Sequence, residues 1–220
     1  MVTDLVVIGA SDQGECTVDI VRATGRDRVV GFVDDHAEPG TERLGVPVLG
    51  GVPDLADLQA HHGFEAAVVA VGDNAIRAQL AAAVRAVTSL PFATLVHPSA
   101  VIGAGARVGA GTVLMARAVV NTGATLGEHV LLCVGSSVDH HAVVADFASF
   151  APGAVTGGRV RIGSHVAIGI GASVIHGVEV GPHTVVGAGA AVVTDLPSHA
   201  VAVGVPARVA RTRTEGERYL

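Results

Sequence analysis

The chain lacks tryptophan and has one tyrosine and five phenylalanines in 220 residues, so aromatics make up 3% of it. Hydrophobic residues still account for 50%, and the core has to be built from Val, Ala, Ile and Leu. Only Cys16 and Cys133 are present, in separate segments, which excludes a disulfide framework and points to a reducing compartment. No apolar run approaches the roughly 18–20 residues of a membrane span, so no membrane partner is expected. The formal net charge is −6 and there is no long basic block, which excludes a nucleic-acid partner. The opening MVTDLVV has no basic region and is interrupted by Asp4, so no signal peptide is expected. These absences lead to the expectation of a cytoplasmic globular protein with one large or two small domains.

Two patterns fill the chain. Up to about residue 96, apolar runs alternate with amphipathic stretches. LVVIGA (5–10), VVGFVDD (29–35), AAVVAVGDN (66–74) and FATLVHP (92–98) are expected to be buried strands. GECTVDIVRATG (14–25), VPDLADLQAHHG (52–63) and NAIRAQLAAAVRAV (74–87) are expected to be helices. Such alternation implies a small parallel α/β sheet. His61 and His62 fall at the end of the second helix, where a cation suits the helix dipole.

From Ile102 a six-residue period takes over. Ile102, Val108, Leu114, Val120, Leu126, Leu132, Val138, Val144, Phe150, Thr156, Ile162, Ile168, Val174, Val180, Val186 and Val192 follow without a slip, and only Thr156 is not apolar. A helix of 3.6 residues per turn cannot hold that frame, whereas hexapeptide repeats are a signature of a parallel β-helix. Residues 18 apart then stack in columns. His140 shares one with Thr122, Gly158 and His176, while His129, His165 and His183 share another, expected at a solvated edge. His140 and His176 are expected about 10 Å apart, two strand spacings, too far for one metal ion. No metal is expected.

The repeat resembles the hexapeptide-repeat acyltransferases, whose left-handed helix forms a triangular coil from three hexads. The segment VNTGATLGEHVLLCVGSSVDHHAVVADFASFAPGA narrows the resemblance to the sugar acyltransferases that comprise sialic acid O-acetyltransferases and nucleotide-4-amino-sugar N-acetyltransferases. Its markers are Val138-Asp139-His140-His141 followed by Ala151-Pro152-Gly153-Ala154. Further markers, in order, are VVIGASDQG, Phe32-Val33-Asp34-Asp35, Val71-Gly72-Asp73-Asn74 and Gly204 to Arg208. The resemblance implies a Rossmann-like nucleotide-sugar-binding domain over 1–98 and a left-handed β-helix acyltransferase domain over 99–220.

It also implies site residues. His140 would be the general base, a role that suits a neutral imidazole near pH 7, with His141 beside it. The family pattern usually has an acid after the base, and His141 cannot replace it. Asp139 or a backbone carbonyl is therefore expected to orient His140. Ser149, Gly158, Ile170 and Ala188 match positions that bind acetyl-CoA along an edge between subunits of a homotrimer. Ser11, Asp12, Gln13, Asp34, Asp35 and Gly72 match an acceptor pocket, although Asp12 and Gln13 depart from the usual Gly and His. Cys133 falls where many relatives have Asn near the base.

Read without the resemblance, GASDQG is a glycine-rich strand-to-helix turn with Asp34 twenty residues after Gly14. That spacing also suits a dinucleotide oxidoreductase, but about 96 residues supply only one mononucleotide-sized half. The expected activity is acyl-CoA-dependent N-acetylation of a nucleotide-linked 4-amino-sugar. Its alternatives are sialic-acid-type O-acetylation and an inactive nucleotide-binding scaffold.

Overall fold

The computed structural model describes residues 2–218. Strands β1 (Thr3–Ile8), β2 (Asp27–Val33), β3 (Glu42–Arg43), β4 (Val46–Gly50) and β5 (Ala66–Val69) form a sheet in the order β3-β4-β2-β1-β5. β1 lies parallel to β2 and β5. It is apolar on both faces because both are covered. Leu5 and Val7 pack with Val18 and Val21 of α1 (Asp12–Thr24). Val6 and Ile8 pack with Leu55 of α2 (Leu55–His62) and Val84 of α3 (Asn74–Val87). α1 stops at Gly25, where φ is 61° and the backbone N–H returns to the Val21 carbonyl. Asp73 caps α3, its carboxylate accepting from the Ala75 and Ile76 amides.

The stretch expected as a fourth strand at 92–98 behaves differently. Phe92 makes a single bridge to Ala67, and Leu95–Val96 pairs with Val113–Leu114 of the next domain instead. Phe92 and Leu90 face the first core, so the segment is apolar for interdomain packing rather than for extending the sheet.

Beyond it, sixteen two-residue strands run from Val101–Ile102 to Ala191–Val192. Each ends on the aliphatic position of a hexad, which faces the interior. Partners lie 18 residues apart, as Val119 pairs in parallel with Val101 and Ser137. The result is a three-sided left-handed parallel β-helix. One face, containing Leu95, Val113 and Leu131, is docked against the N-terminal domain in a shared core. A second points Val101, Val119, Ser137, Val155, Ser173 and Ala191 outwards. The third carries Arg107, Thr125, Val143, Arg161 and Glu179. We call them the docked, bare and charged faces. A hairpin of Ala200–Val203 and Arg208–Thr212 closes the end of the docked face.

Every sixth residue from Gly105 to Gly189 has positive φ, because each corner needs one left-handed residue. Glycine fills many of these places, but His129 (φ 53°), His141 (56°), His165 (58°) and His183 (57°) fill others. Histidine is among the side chains that tolerate this region better than most.

Candidate active site

His140 stands at the corner between the bare and charged faces, directly before the left-handed residue His141. Its ring lies over Gly158, one coil on. A Cβ added to Gly158 would sit 2.4 Å from His140 Nε2 and Cε1, so the absence of a side chain there makes room for the imidazole. His140 Nδ1 and His141 Nδ1 are 3.2 Å apart, one donating to the other. Orientation thus comes from His141, not from Asp139 or a carbonyl as the sequence led us to expect. Asp139 has another place: its Oδ1 accepts from the His140 amide (2.7 Å) and Asn121 Nδ2 (2.7 Å), and its Oδ2 stands 3.9 Å from His140 Nε2. The backbone hydrogen bond from His140 is the main cause that holds the Asp139 carboxyl below its ordinary value. A negative charge therefore sits beside the nitrogen that would take up a proton.

His176 comes closer than two strand spacings suggest, its ring centroid 6.0 Å from that of His140. Gly158 between them has no side chain, and the rings lean into the gap. Among the described residues, no three His, Cys, Asp or Glu side chains are gathered to hold a metal ion.

The other expected residues divide between two cavities. A mostly apolar groove of about 400 Å³ runs along the docked face to its corner with the bare face. It brings together Ser149, Ile170 and Ala188 with Gln13 and Gly72 of the N-terminal domain. Gly158 is not part of it and belongs to the His140 corner. Cys133 is part of it; burial pushes its thiol up to about 11. Within one chain Cys133 and His140 therefore lie on different sides of the prism. A smaller cleft of about 150 Å³ is lined by Gly9, Asp34, Asp35 and Val71. Asp34 accepts from the Ala10 and His36 amides, both at 2.8 Å, and Asp35 accepts from the Val52 amide at 2.7 Å. Gly14 is required for the turn above this cleft: a Cβ there would meet the Gly9 carbonyl at 2.3 Å. Ser11 and Asp12 are exposed at the start of α1, where backbone amides point outwards.

The solvated edge expected for His129, His165 and His183 is overturned. His129 is fully buried, with its ring centroid 4.5 Å from Phe92 and 5.0 Å from Phe147. The stack continues from Phe147 to His165 (5.2 Å), His183 (4.7 Å) and His199 (4.9 Å). The 18-residue period puts these side chains in one column, and the N-terminal domain covers its end.

Arg77 fastens that cover. It is 2% exposed and donates to the carbonyls of His129 (3.0 Å) and Phe147 (2.9 Å) across the domain boundary. It also donates to the Val71 and Gly72 carbonyls (2.9 and 3.0 Å) beside the groove. Sequence reasoning missed it, yet a signal was there. Asn74, Arg77, Ala81 and Val84 form the buried stripe of α3, so two polar residues occupy an otherwise apolar helical face.

A left-handed β-helix with a corner histidine, an apolar edge groove and an α/β domain above it is the architecture of a hexapeptide-repeat transferase. Comparison with known proteins narrows this class. Residues 4–84 match the PglD N-terminal domain family. A UDP-N-acetylbacillosamine N-acetyltransferase of Bacillus subtilis is 31% identical over 116 residues, a stretch covering 51% of this chain and 51% of that protein. A histidine-to-alanine variant of GDP-perosamine N-acetyltransferase from Caulobacter crescentus, solved with CoA and GDP-perosamine, is 33% identical. It superimposes with a TM-score of 0.88 over 96% of this chain and 98% of that one. The acetyltransferase domain of PglB from Neisseria gonorrhoeae, solved with acetyl coenzyme A, is 32% identical, with a TM-score of 0.86 over 95% of this chain and 100% of that one. The chain belongs to the hexapeptide-repeat sugar acyltransferase family, and the relatives it matches include N-acetyltransferases of nucleotide-linked amino-sugars.

Proposed function

We propose that the chain transfers an acetyl group from acetyl-CoA to the amine of a nucleotide-linked 4-amino-sugar, in one step and as a homotrimer. The observation that carries this reading is the placement of the two half-sites. The groove ends at one edge of the bare face and His140 stands at the other. The bare face exposes Val101 and Val155, and Ile170 and Ile175 are exposed at its two edges. A rotational contact through that apolar face brings the groove of one chain to the His140 of the next, and three such contacts close a ring.

In this reading His140 Nε2 accepts the proton as the amine attacks the thioester carbonyl. The C–S bond breaks as the amide C–N bond forms, and CoA leaves as a thiolate that takes the proton back from the imidazolium. Its Nδ1–H donates to His141 Nδ1, which fixes the tautomer. Asp139 Oδ2 then faces the new imidazolium. The groove takes the pantetheine arm past Ser149, Ile170 and Ala188, with Gly158 making space for the base. The nucleotide lies near Asp34 and Asp35, and the sugar reaches towards Gln13 and Gly72. An imidazole partner assists proton removal less than a carboxylate would. A neutral amine is already a good nucleophile and tolerates this better than a hydroxyl, which favours N- over O-acetylation. Both cysteines are free thiols, and no helix among the described residues is long and apolar enough to cross a membrane, which supports work in the cytoplasm.

The test is release of free CoA from acetyl-CoA with UDP- and GDP-linked 4-amino-sugars and with sialic acid as the competing acceptor. His140→Ala should lose roughly 10²–10⁴ in turnover with its assembly intact. CoA release with sialic acid alone selects the O-acetyl reading, and the absence of CoA release with every acceptor selects the inactive scaffold. A fully active monomer by sedimentation overturns the shared site.

A further inference from the structure

The single polar residue in the column of inward-facing aliphatic positions is Thr156. It is 6% exposed, and a hydroxyl buried among aliphatic side chains is unfavourable unless it is hydrogen-bonded. Valine has nearly the same shape and would continue the column. Stability alone gives no reason for threonine here.

The backbone next to it supplies one. Along the bare face, the residue after each strand donates its amide to the carbonyl of the aliphatic residue one coil on. Gly103 donates to Val120 (2.7 Å), Asn121 to Val138 (2.9 Å), Gly157 to Val174 (2.8 Å) and Ile175 to Val192 (3.0 Å). Asp139 breaks this series, donating instead to the Thr156 side-chain Oγ1 at 3.1 Å. The strand pairing loosens at the same rung, where only Ser137 with Val155 is retained. The turn that follows is also opened. Its Ala142 amide lies 3.4 Å from the Asp139 carbonyl, against 3.1 Å for Ala124 and Asn121 one coil earlier. The residue inside this displaced turn is His140.

We propose that Thr156 is a positioning residue for His140. Its hydroxyl draws the Asp139 amide off the strand ladder and so sets the tilt of the turn. That tilt lets the His140 ring lie over Gly158 at the corner, with its side chain 41% exposed. Asn121 fixes the same turn from the coil below, through Asp139 Oδ1. Asp139 is thus held from both neighbouring coils, and the residue after it inherits the geometry. The inference rests on the reading of His140 as the base.

The experiment compares Thr156→Val, Thr156→Ser and His140→Ala in the full chain, by crystal structure, thermal unfolding and acetyl-CoA turnover with UDP- or GDP-linked 4-amino-sugars. In Thr156→Val the Asp139 amide should return to the carbonyl of residue 156 with no loss of melting temperature. Its kcat should fall about 10- to 100-fold, as expected for a misplaced catalytic group, while KM for acetyl-CoA stays unchanged. Thr156→Ser keeps the oxygen and should recover most of the rate. Wild-type kcat in Thr156→Val beside an inactive His140→Ala overturns the positioning role and leaves the base reading intact. Wild-type kcat in His140→Ala overturns the base reading itself. An unmoved turn in the Thr156→Val crystal structure overturns the proposal whatever the kinetics.

Discussion

The buried histidine stack predicts a specific sensitivity to acid. His129 is fully buried, and neither ring nitrogen has a hydrogen-bond partner among the described residues. Burial, reinforced by the nearby Arg85 and Arg77 charges, pushes its pKa down from 6.5 to about 4. The folded protein therefore favours neutral His129, and the unfolded chain takes up the proton first. Its contribution to stability is complete above the unfolded pKa and is lost as pH falls towards the folded one. A gap of about 2.5 units corresponds to about 3 kcal/mol per chain in all. About 2 kcal/mol of this should be lost between about pH 7.5 and about pH 5. His165 and His183 are shifted in the same direction, chiefly by burial, and add to the loss. The assay is urea unfolding followed by circular dichroism at both pH values and one protein concentration, since assembly also contributes to stability. His129→Phe is the control. Phe147 occupies the same column one coil on, with φ 59°, so the stack accepts that ring. The variant should lose about 2 kcal/mol less than wild type on acidification. An equal loss in both proteins refutes the assignment of acid sensitivity to this ring.

Three further outcomes are expected. Gly158→Ala should cost about 10²-fold in kcat with little change in melting temperature, because the new methyl displaces a side chain and not backbone; unchanged kcat would mean that the ring position is immaterial. Arg77→Met leaves buried carbonyls on both domains unpaired and should destabilise the chain by about 3–5 kcal/mol, read as a drop in urea midpoint. Asp34→Ala removes the acceptor that holds the Ala10 and His36 amides and should weaken nucleotide-sugar binding roughly 10- to 100-fold. Calorimetry should show acetyl-CoA binding unchanged, and an equal loss for both ligands would point to misfolding.

The β-helix was legible in the sequence because each coil repeats one steric demand, an inward aliphatic residue, in fixed phase. The helices of the first domain were legible to within a few residues for the same kind of reason: their apolar periodicity is local. What the period could not reveal was the neighbour of each column. His129, His165 and His183 read as edge residues because nothing local shows that Phe92 and α3 close over them. The run at 92–98 read as a sheet strand because an apolar segment gives the same signal whether it pairs or plugs. Family motifs mark Gly158 as an acetyl-CoA position along the chain, whereas its contact with the His140 ring depends on the packing of successive coils. Arg77 was visible only as an anomaly, a charge on a buried helical stripe, and the anomaly marked the joint between the domains.

The same distinction explains the adjacent histidines. His141 is in the phase of His129, His165 and His183, the left-handed residue that every corner requires, with φ 56°. Its ring settles against Gly123 in the coil below, where an added Cβ would lie 3.1 Å from His141 Cδ2. His140 is in the phase of Gly158 and His176, just before the left-handed position, where the backbone has no need of histidine. On the proposed reading its chemistry explains its presence. The next coil departs from the repeat at two places beside it: Gly158 leaves room for its ring, and Thr156 gives up an aliphatic contact to hold the Asp139 amide. In a repeat fold each coil could be a copy of the last, so a cluster of departures around one side chain shows where stability has yielded to another demand. Here three of them, at residues 139, 156 and 158, cluster around the turn that carries His140.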